Sequence, residues 1–534
     1  MSETITTDVV VIGSGVVGAL TARKLALAGR KVLMLEAGPR IQRDTIVSNF
    51  RHSARKDDFI APYPNSKIAP FPDYKPEDNG YLDQTGPQAY KPEYLRVVGG
   101  TSWHWAAQAW RLIPADFRLK TQYGVGRDWP ISYDDLEPYY YEAEVLWGVS
   151  GPEEMAKYSP RKKPFPMPGV KKSYLEQRVT ERLAAKYEVL TNTTGRNSLP
   201  YDGRPQCCGN NNCMPICPID AQYHGGIAAD AAEKAGVQLI PQAVVYKLEQ
   251  NGHGKITAVH YYDWNKQSHR VEAEIVVLAA NAVESSKILF LSADAKNPHG
   301  LCNNYDQVGR NLMDHPSNSA TFYVDEPIWP GRGPMSPSSI QQLRDGAFRS
   351  ESAAFRIDIS NSSRVASVTA AAIKEGLTGQ ALDDAIRFRA SHELNFKNVL
   401  EQLPDPNNRT MLSTSKKDAL GLPTPAFSYS FDSYVEKGMQ HSLAVYADIA
   451  RMLGATDVRY STPGVYSNNQ HITGTLAMGF DEKTSVTDHH GKAWEYDNLY
   501  IVSTGVMPTV ATANSTLTAC ALGLRTADAI LGKI

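Results

Sequence analysis

The chain has 534 residues, 55 Lys and Arg against 57 Asp and Glu, a formal net charge of −2 and an apolar share of 42%. That length allows two interwoven domains, each with a sizeable core. The balanced charge gives no electrostatic case for nucleic acid, and no stretch reaches the roughly 18 apolar residues that span a bilayer.

No unit of 20–50 residues repeats, and no low-complexity tract occurs. The chain opens without a charged start and apolar run, so by itself it reads as a cytoplasmic protein with no export signal. Residues 8–12, Asp-Val-Val-Val-Ile, are β-branched and predict a buried strand. Gly13-Ser-Gly15-Val-Val-Gly18 follows at once, then a helix to Ala28 and a second strand, Val32–Leu35, ending at Glu36. Gly13 suits the tight turn, Gly15 lets backbone approach a pyrophosphate, and Gly18 lets helix and strand pack closely. The helix N-terminus offers free N–H groups to phosphate, and Glu36 stands where a ribose-binding acid belongs, about 20 residues on. These parts in register predict a dinucleotide-binding unit, without separating FAD from NAD.

Residues 60–93 are rich in Pro, Tyr and Asp and read as an irregular excursion. A second glycine turn follows in Arg96-Val-Val-Gly99-Gly100-Thr-Ser102-Trp-His104, where backbone could pass close to a flat ligand. Ser132 and Asp135 start a helix over 132–148, and 158–169 reads as an extended connector. Val276 to Leu289, through Asn281, is a strand entering a helix, and Asp314-His315-Pro316 lies beyond it. An amphipathic helix over 433–453 starts with Ser433 as cap and Glu436 three residues on, and its His441 is packing. His471 precedes a glycine turn, Asn498–Gly505 is another strand and turn, and a last helix runs from Asn514, a favoured N-cap type, to Ile530.

Cys207, Cys208, Cys213 and Cys217, with Pro218 after them, place four of six cysteines within eleven residues. Thiolates packed so closely can hold a soft metal or an iron–sulfur cluster. Neighbouring cysteines bond to each other only with strain, and six cysteines in this length are no disulfide scaffold. Structural zinc is the other reading, although the spacing shows no pair of C-x-x-C knuckles. A two-electron cofactor beside a one-electron relay suggests a dehydrogenase.

The order and spacing of these motifs resemble the glucose–methanol–choline (GMC) oxidoreductase family from end to end. The cysteine block resembles the catalytic subunits of bacterial membrane-associated FAD-dependent sugar dehydrogenases. The resemblance implies an α/β (α+β) fold: a Rossmann-like FAD-binding domain over 1–319, with excursions at 45–93 and a cluster loop at 200–222. A substrate domain built on an antiparallel sheet would span 320–470, and 471–534 would return to the FAD domain. It implies His471 as the base that takes a hydroxyl proton and Asn514 as the amide that holds the substrate oxygen. Gly13, Gly15, Gly18, Glu36, Gly99, Gly100, Ser102, His104, Asn281 and Gly505 would line the FAD site. His104, four residues past Gly100, would bond to the flavin 8α-methyl or stack beside the ring. His315 would help frame the flavin without a chemical role.

Three of Cys207, Cys208, Cys213 and Cys217 would hold a 3Fe-4S cluster, one of the adjacent pair being left free. The resemblance also implies a small escort subunit bearing an export signal and a multihaem cytochrome c subunit. They would hold the chain at the periplasmic face of the inner membrane, and without them it would stay in the cytoplasm. Glucose is the favoured substrate, then fructose, with sorbitol and gluconate as alternatives. The rival readings are an oxygen-using oxidase with a structural cysteine loop and an electron-transfer flavoprotein without its own substrate.

Overall fold

Three apolar runs far apart in the chain pair side by side. Ile5–Ile12 lies parallel to Ser268–Leu278, with Val10 opposite Val276, and parallel to Val32–Leu35, with Val10 opposite Leu33. Gln238–Ile240 and Leu499–Ile501 add further parallel strands, while Ile256–Tyr262 and Val244–Gln250 extend the sheet antiparallel. The result is seven strands. Val9, Val10, Val11 and Ile12 are at most 2% exposed, as expected for a central parallel strand covered on both faces. The helix Val16–Leu27 packs against the strands of this unit, against Gly225–Lys234 and against the last helix, Thr516–Ile530. The computed structural model describes residues 4–534 except 55, 57, 73–79, 463 and 465. Part of the excursion expected over 45–93 therefore lies outside the described residues.

A Cβ on Gly18 would sit 2.3 Å from the Gly13 carbonyl oxygen. Gly13 itself has φ +107, and a Cβ there would stand 2.6 Å from the Ala279 carbonyl oxygen. These two glycines let the first helix start directly above the strand ends, so its free N–H groups face the space beyond them.

The second sheet is antiparallel, in the order Thr456–Tyr460, Ser319–Tyr323, Glu393–Leu400, Phe355–Ile359, Ser338–Ile340, Val189–Thr191. Its last strand comes from 189–191, outside the segment 320–470 from which this layer was expected. Side chains alternate across the sheet. Phe355, Ile357, Ile359, Phe396 and Leu400 are fully buried and share one core cluster with Val435, Tyr446 and Ile449 of the helix Ser433–Met452. The other face carries Arg356, Asp358, Lys397 and Val399, which line a cavity shared with the first domain. A buried ion cluster ties the layers together: Arg349 donates to Asp116 and Glu401 at 2.8 and 2.6 Å.

Two helix starts illustrate local control. Ser132 and Asp135 form the reciprocal cap that the sequence predicts. The helix Ser433–Met452 is capped one residue earlier than predicted, by Asp432, which accepts from the N–H of Val435 at 3.0 Å. A carboxylate there also meets the positive end of the helix dipole.

Candidate active site

A cavity of about 570 Å³ lies between the strand ends of the first sheet and the polar face of the second. Gly13, Gly15, Glu36, Gly100, Ser102, His104, Asn281, His471 and Asn514 line it. A Cβ on Gly15 would meet nothing within 4 Å, so backbone is open to a ligand there. Glu36 accepts from Ser14 N at 3.1 Å, Ser14 Oγ at 2.7 Å and Gly38 N at 3.0 Å. Burial raises its pKa despite these donors. Ser102 Oγ accepts from Gly225 N at 2.8 Å and so fixes the second glycine turn. Asn281 Oδ1 accepts from the N–H groups of Val283 and Glu284 in the first turn of the helix Asn281–Leu291. Gly18, Gly99 and Gly505 lie off the cavity wall. Gly505 is a packing glycine, where a Cβ would stand 2.9 Å from Ser503 Oγ.

His104 is 5% exposed, and neither ring nitrogen makes a hydrogen bond among the described residues. Burial lowers its pKa to about 4, so it is neutral, with Nδ1 3.5 Å from Glu93 Oε1. An imidazole left unpaired in the wall of a cavity is a costly arrangement that a bound group can relieve. The open backbone at Gly15, the helix N-terminus, Glu36 and this histidine together fit FAD.

The catalytic candidates form one ordered chain. His315 Nε2 lies 2.8 Å from the Ala511 carbonyl oxygen, and His315 Nδ1 lies 2.8 Å from His471 Nδ1. A carbonyl only accepts, so Nε2 of His315 carries its proton. Burial lowers the His315 pKa to about 3, which leaves Nδ1 a lone pair. His471 Nδ1–H therefore donates to it, and His471 Nε2 is left unprotonated. Asn514 Nδ2 donates to that nitrogen at 2.7 Å, while Asn514 Oδ1 accepts from Arg356 at 2.6 Å. Burial first, then His315 and the cations Arg356 and Lys397, keeps the His471 pKa well below its ordinary value. A base with its lone pair beside an amide N–H is the result. Asp314 holds both histidine backbones, accepting from His471 N at 2.9 Å and His315 N at 2.6 Å, and it takes the Tyr90 hydroxyl at 3.0 Å.

Two sequence readings change here. Asn514 does not cap the last helix, whose N-cap is Ser515; its side chain is turned to His471 and Arg356 instead. His315, given no chemical role, orders the protons of His471. The sequence also left Arg356, Asp358 and Lys397 unremarked, and named Asp314 only as part of the Asp314-His315-Pro316 run. Phe-Arg-Ile-Asp-Ile at 355–359 did carry a signal, because alternating charges on a strand buried on both sides need a polar cavity to face.

The cysteine loop stands beside the cavity. Its Met214 lines the wall. Cys213 is buried, Cys207 and Cys217 are half-buried, and Cys208 is exposed. Burial raises the Cys207 and Cys217 thiols, Cys207 lies in the field of Cys213 and Cys217, and backbone N–H groups of Ile219, Ala221 and Gln222 point at Cys217. Tyr63 donates to the Pro215 carbonyl at 2.6 Å, and Asn211 donates to Gly333 and Asn361 carbonyls at 2.9 and 2.7 Å. The loop is thus pinned to both domains.

The GMC oxidoreductase models match residues 131–317 and 404–523, and an FAD dependent oxidoreductase model matches 8–127. The chain belongs to the GMC oxidoreductases and is an FAD-dependent enzyme. It is 47% identical over 544 residues to the fructose dehydrogenase large subunit of Gluconobacter japonicus, covering 100% of this chain and 99% of that one. It is also similar to paromamine 6'-oxidase of Streptomyces fradiae, at 28% identity over 99% of this chain and 92% of the relative. Pyridoxine 4-oxidase from Mesorbium loti shares the fold, with a TM-score of 0.67 at 17% identity over 98% of this chain and 99% of that one.

Burial raises the Asp314 pKa from 3.8 to about 6. The folded state thus holds a proton that the unfolded chain gives up between those values. The contribution is fully present below about 3.8 and lost as pH rises through about 6, and a shift of this size corresponds to about 3 kcal/mol. Asp314→Asn removes this dependence. Thermal unfolding of wild type and variant from pH 4 to pH 7 should show the variant gaining relative stability over that range; a constant difference would refute the assignment.

Proposed function

We propose that this chain is the flavoprotein subunit of a sugar dehydrogenase that oxidises a ring or chain hydroxyl to a carbonyl. The observation that carries this reading is the unprotonated His471 Nε2 beside Asn514 Nδ2, inside a cavity that fits FAD. A substrate hydroxyl placed between them donates its proton to the imidazole, and its oxygen accepts from the amide. FAD bound in the cavity supplies the acceptor for the hydride that leaves the same carbon. Arg356 holds the Asn514 amide in this sense, and His315 keeps the other His471 nitrogen occupied, so only Nε2 can take the proton. His104, neutral and unpaired, is the residue for a covalent bond to the flavin.

The polar wall formed by Arg356, Asp358, Lys397, Asn468 and Gln470 suits a polyhydroxyl substrate. The relative named as a fructose dehydrogenase subunit supports D-fructose ahead of D-glucose, which the sequence alone favoured; sorbitol and gluconate follow.

Cys207, Cys213 and Cys217 are the proposed ligands of a 3Fe-4S cluster, with Cys208 left free at the surface. Zinc would draw its sulfurs to about 3.8 Å apart, given Zn–S bonds of about 2.3 Å. Among the described residues no three cysteine sulfurs lie within 4.8 Å of one another. Such a cluster supplies a one-electron outlet, and Met214 links its loop to the cavity wall. No helix among the described residues is long and apolar enough to cross a membrane. The reading therefore places the chain at the periplasmic face through a small escort subunit and a multihaem cytochrome c subunit, which takes the electrons.

Replacing His471 with Ala should leave FAD bound and lower the rate of sugar-driven flavin bleaching by about 10²–10⁴-fold; near wild-type bleaching would place the base elsewhere. For His104, the check is acid precipitation. Wild type should carry its yellow colour into the pellet and His104→Ala should release free FAD, whereas flavin washed from denatured wild type rejects the bond. The cysteines separate by iron analysis and EPR. Cys208→Ser should keep the cluster, while Cys207→Ser, Cys213→Ser and Cys217→Ser lose it and the transfer to a cytochrome. Iron lost in Cys208→Ser and retained in Cys207→Ser would reverse the ligand choice.

A further inference from the structure

We propose that Lys397 reads an oxygen on the carbon next to the one oxidised, so that the site selects vicinal polyols over simple alcohols. The inference rests on the sugar-dehydrogenase reading above and deepens it. Lys397 lies on the central strand Glu393–Leu400, directly opposite Asp358 in the antiparallel register. Opposed residues share a face of the sheet with their Cβ atoms about 4.5–5.5 Å apart. Both line the cavity together with Arg356, His471 and Asn514.

Asp358 is already engaged. Its two oxygens accept from Arg356 Nε at 3.0 Å and Nη2 at 3.3 Å. Arg356 is engaged in turn, by Asp358, the Thr512 carbonyl at 2.8 Å and Asn514 at 2.6 Å. Lys397 alone has no hydrogen bond or ion pair among the described residues. Burial lowers its pKa, the near field of Asp358 only partly offsetting the loss of water. Lys397 is half-buried and lines the cavity, so a bound molecule can bring its ammonium the acceptor that the chain does not.

The chemistry of that oxygen follows from the donor. An ammonium has three N–H groups and no lone pair, so it binds an acceptor such as a hydroxyl or carbonyl oxygen. Its place follows from the chain of contacts. Arg356 touches both Asp358 and Asn514, and Lys397 faces Asp358 across the strand pair, so Lys397 and the amide that holds the reacting oxygen line the same cavity. The charge of Lys397 also reaches His471, where it disfavours the protonated form. A neighbouring hydroxyl of the same substrate offers such an acceptor. A simple secondary alcohol offers none, and would leave the ammonium unpaired in the closed complex.

The test uses the FAD-loaded full chain in anaerobic stopped flow, with D-fructose, D-glucose and their monodeoxy analogues as reductants. Product analysis identifies the oxidised carbon. In wild type, removing the hydroxyl next to that carbon should lower the bleaching efficiency about 10- to 100-fold, the range of a hydrogen bond to a charged group. Lys397→Met should cause a loss of the same size with the parent sugar and almost none beyond it with that one analogue. Analogues deoxygenated elsewhere should keep the full loss. An equal loss with every analogue would show that Lys397 acts through its field or its packing, and would overturn the inference. So would a wild type indifferent to deoxygenation at that position, an outcome that needs no variant to fold. A wild type bleached by no sugar would overturn the underlying reading, and this inference with it.

Discussion

The bond from His315 Nε2 to the Ala511 carbonyl orders every proton between that carbonyl and Arg356. A carbonyl cannot donate, and burial keeps His315 from taking a second proton, so each successive nitrogen has one state open to it. Reversing any member would leave two donors or two acceptors facing each other. The base is thus set by hydrogen-bond direction. Asp314 serves the same end from the other side by fixing the backbones from which both rings project.

Around this chain the two sheets have different duties. The parallel sheet, buried on both faces, delivers the glycine turn and Glu36 to the mouth of its strands, where a dinucleotide belongs. The antiparallel sheet buries one face against the helix Ser433–Met452 and turns the other into the cavity roof. Its charges can stand there because Arg356 and Asp358 satisfy each other, while Lys397 keeps its donors free. Neither sheet makes the site alone: the base comes from the returning segment, and the polar roof from the earlier strands Phe355–Ile359 and Glu393–Leu400.

The fingerprint at 8–36 was legible because its physics is local. A β-branched run, glycines at fixed offsets and an acid in register describe the same structure whatever surrounds them. The helix at 132–148 was legible for the same reason, since Ser132 and Asp135 satisfy each other. Locality also explains the errors. Ser433 and Asn514 are favourable caps by type, yet Asp432 and Ser515 stand at those positions. Asp432 is the better placed acceptor, and the Asn514 side chain is drawn away by two long-range partners. Gly505, named for the cofactor site, lies off the cavity wall, and a Cβ there would stand 2.9 Å from Ser503 Oγ and 3.2 Å from the Gly474 carbonyl oxygen.

By itself the sequence determined the dinucleotide unit and the clustering of the four cysteines, through motifs whose meaning lies in spacing and residue type, while resemblance to the GMC family marked His471 and Asn514 as the pair to examine. The tertiary structure decided what direction and proximity settle. It showed that His315 orders His471, that Arg356 orients Asn514, that Cys208 is the exposed member of its pair, and that Arg356, Asp358 and Lys397 face the cavity. Hydrogen-bond polarity and the burial of unpaired charge depend on which atoms meet across long separations, and a one-dimensional string does not record that.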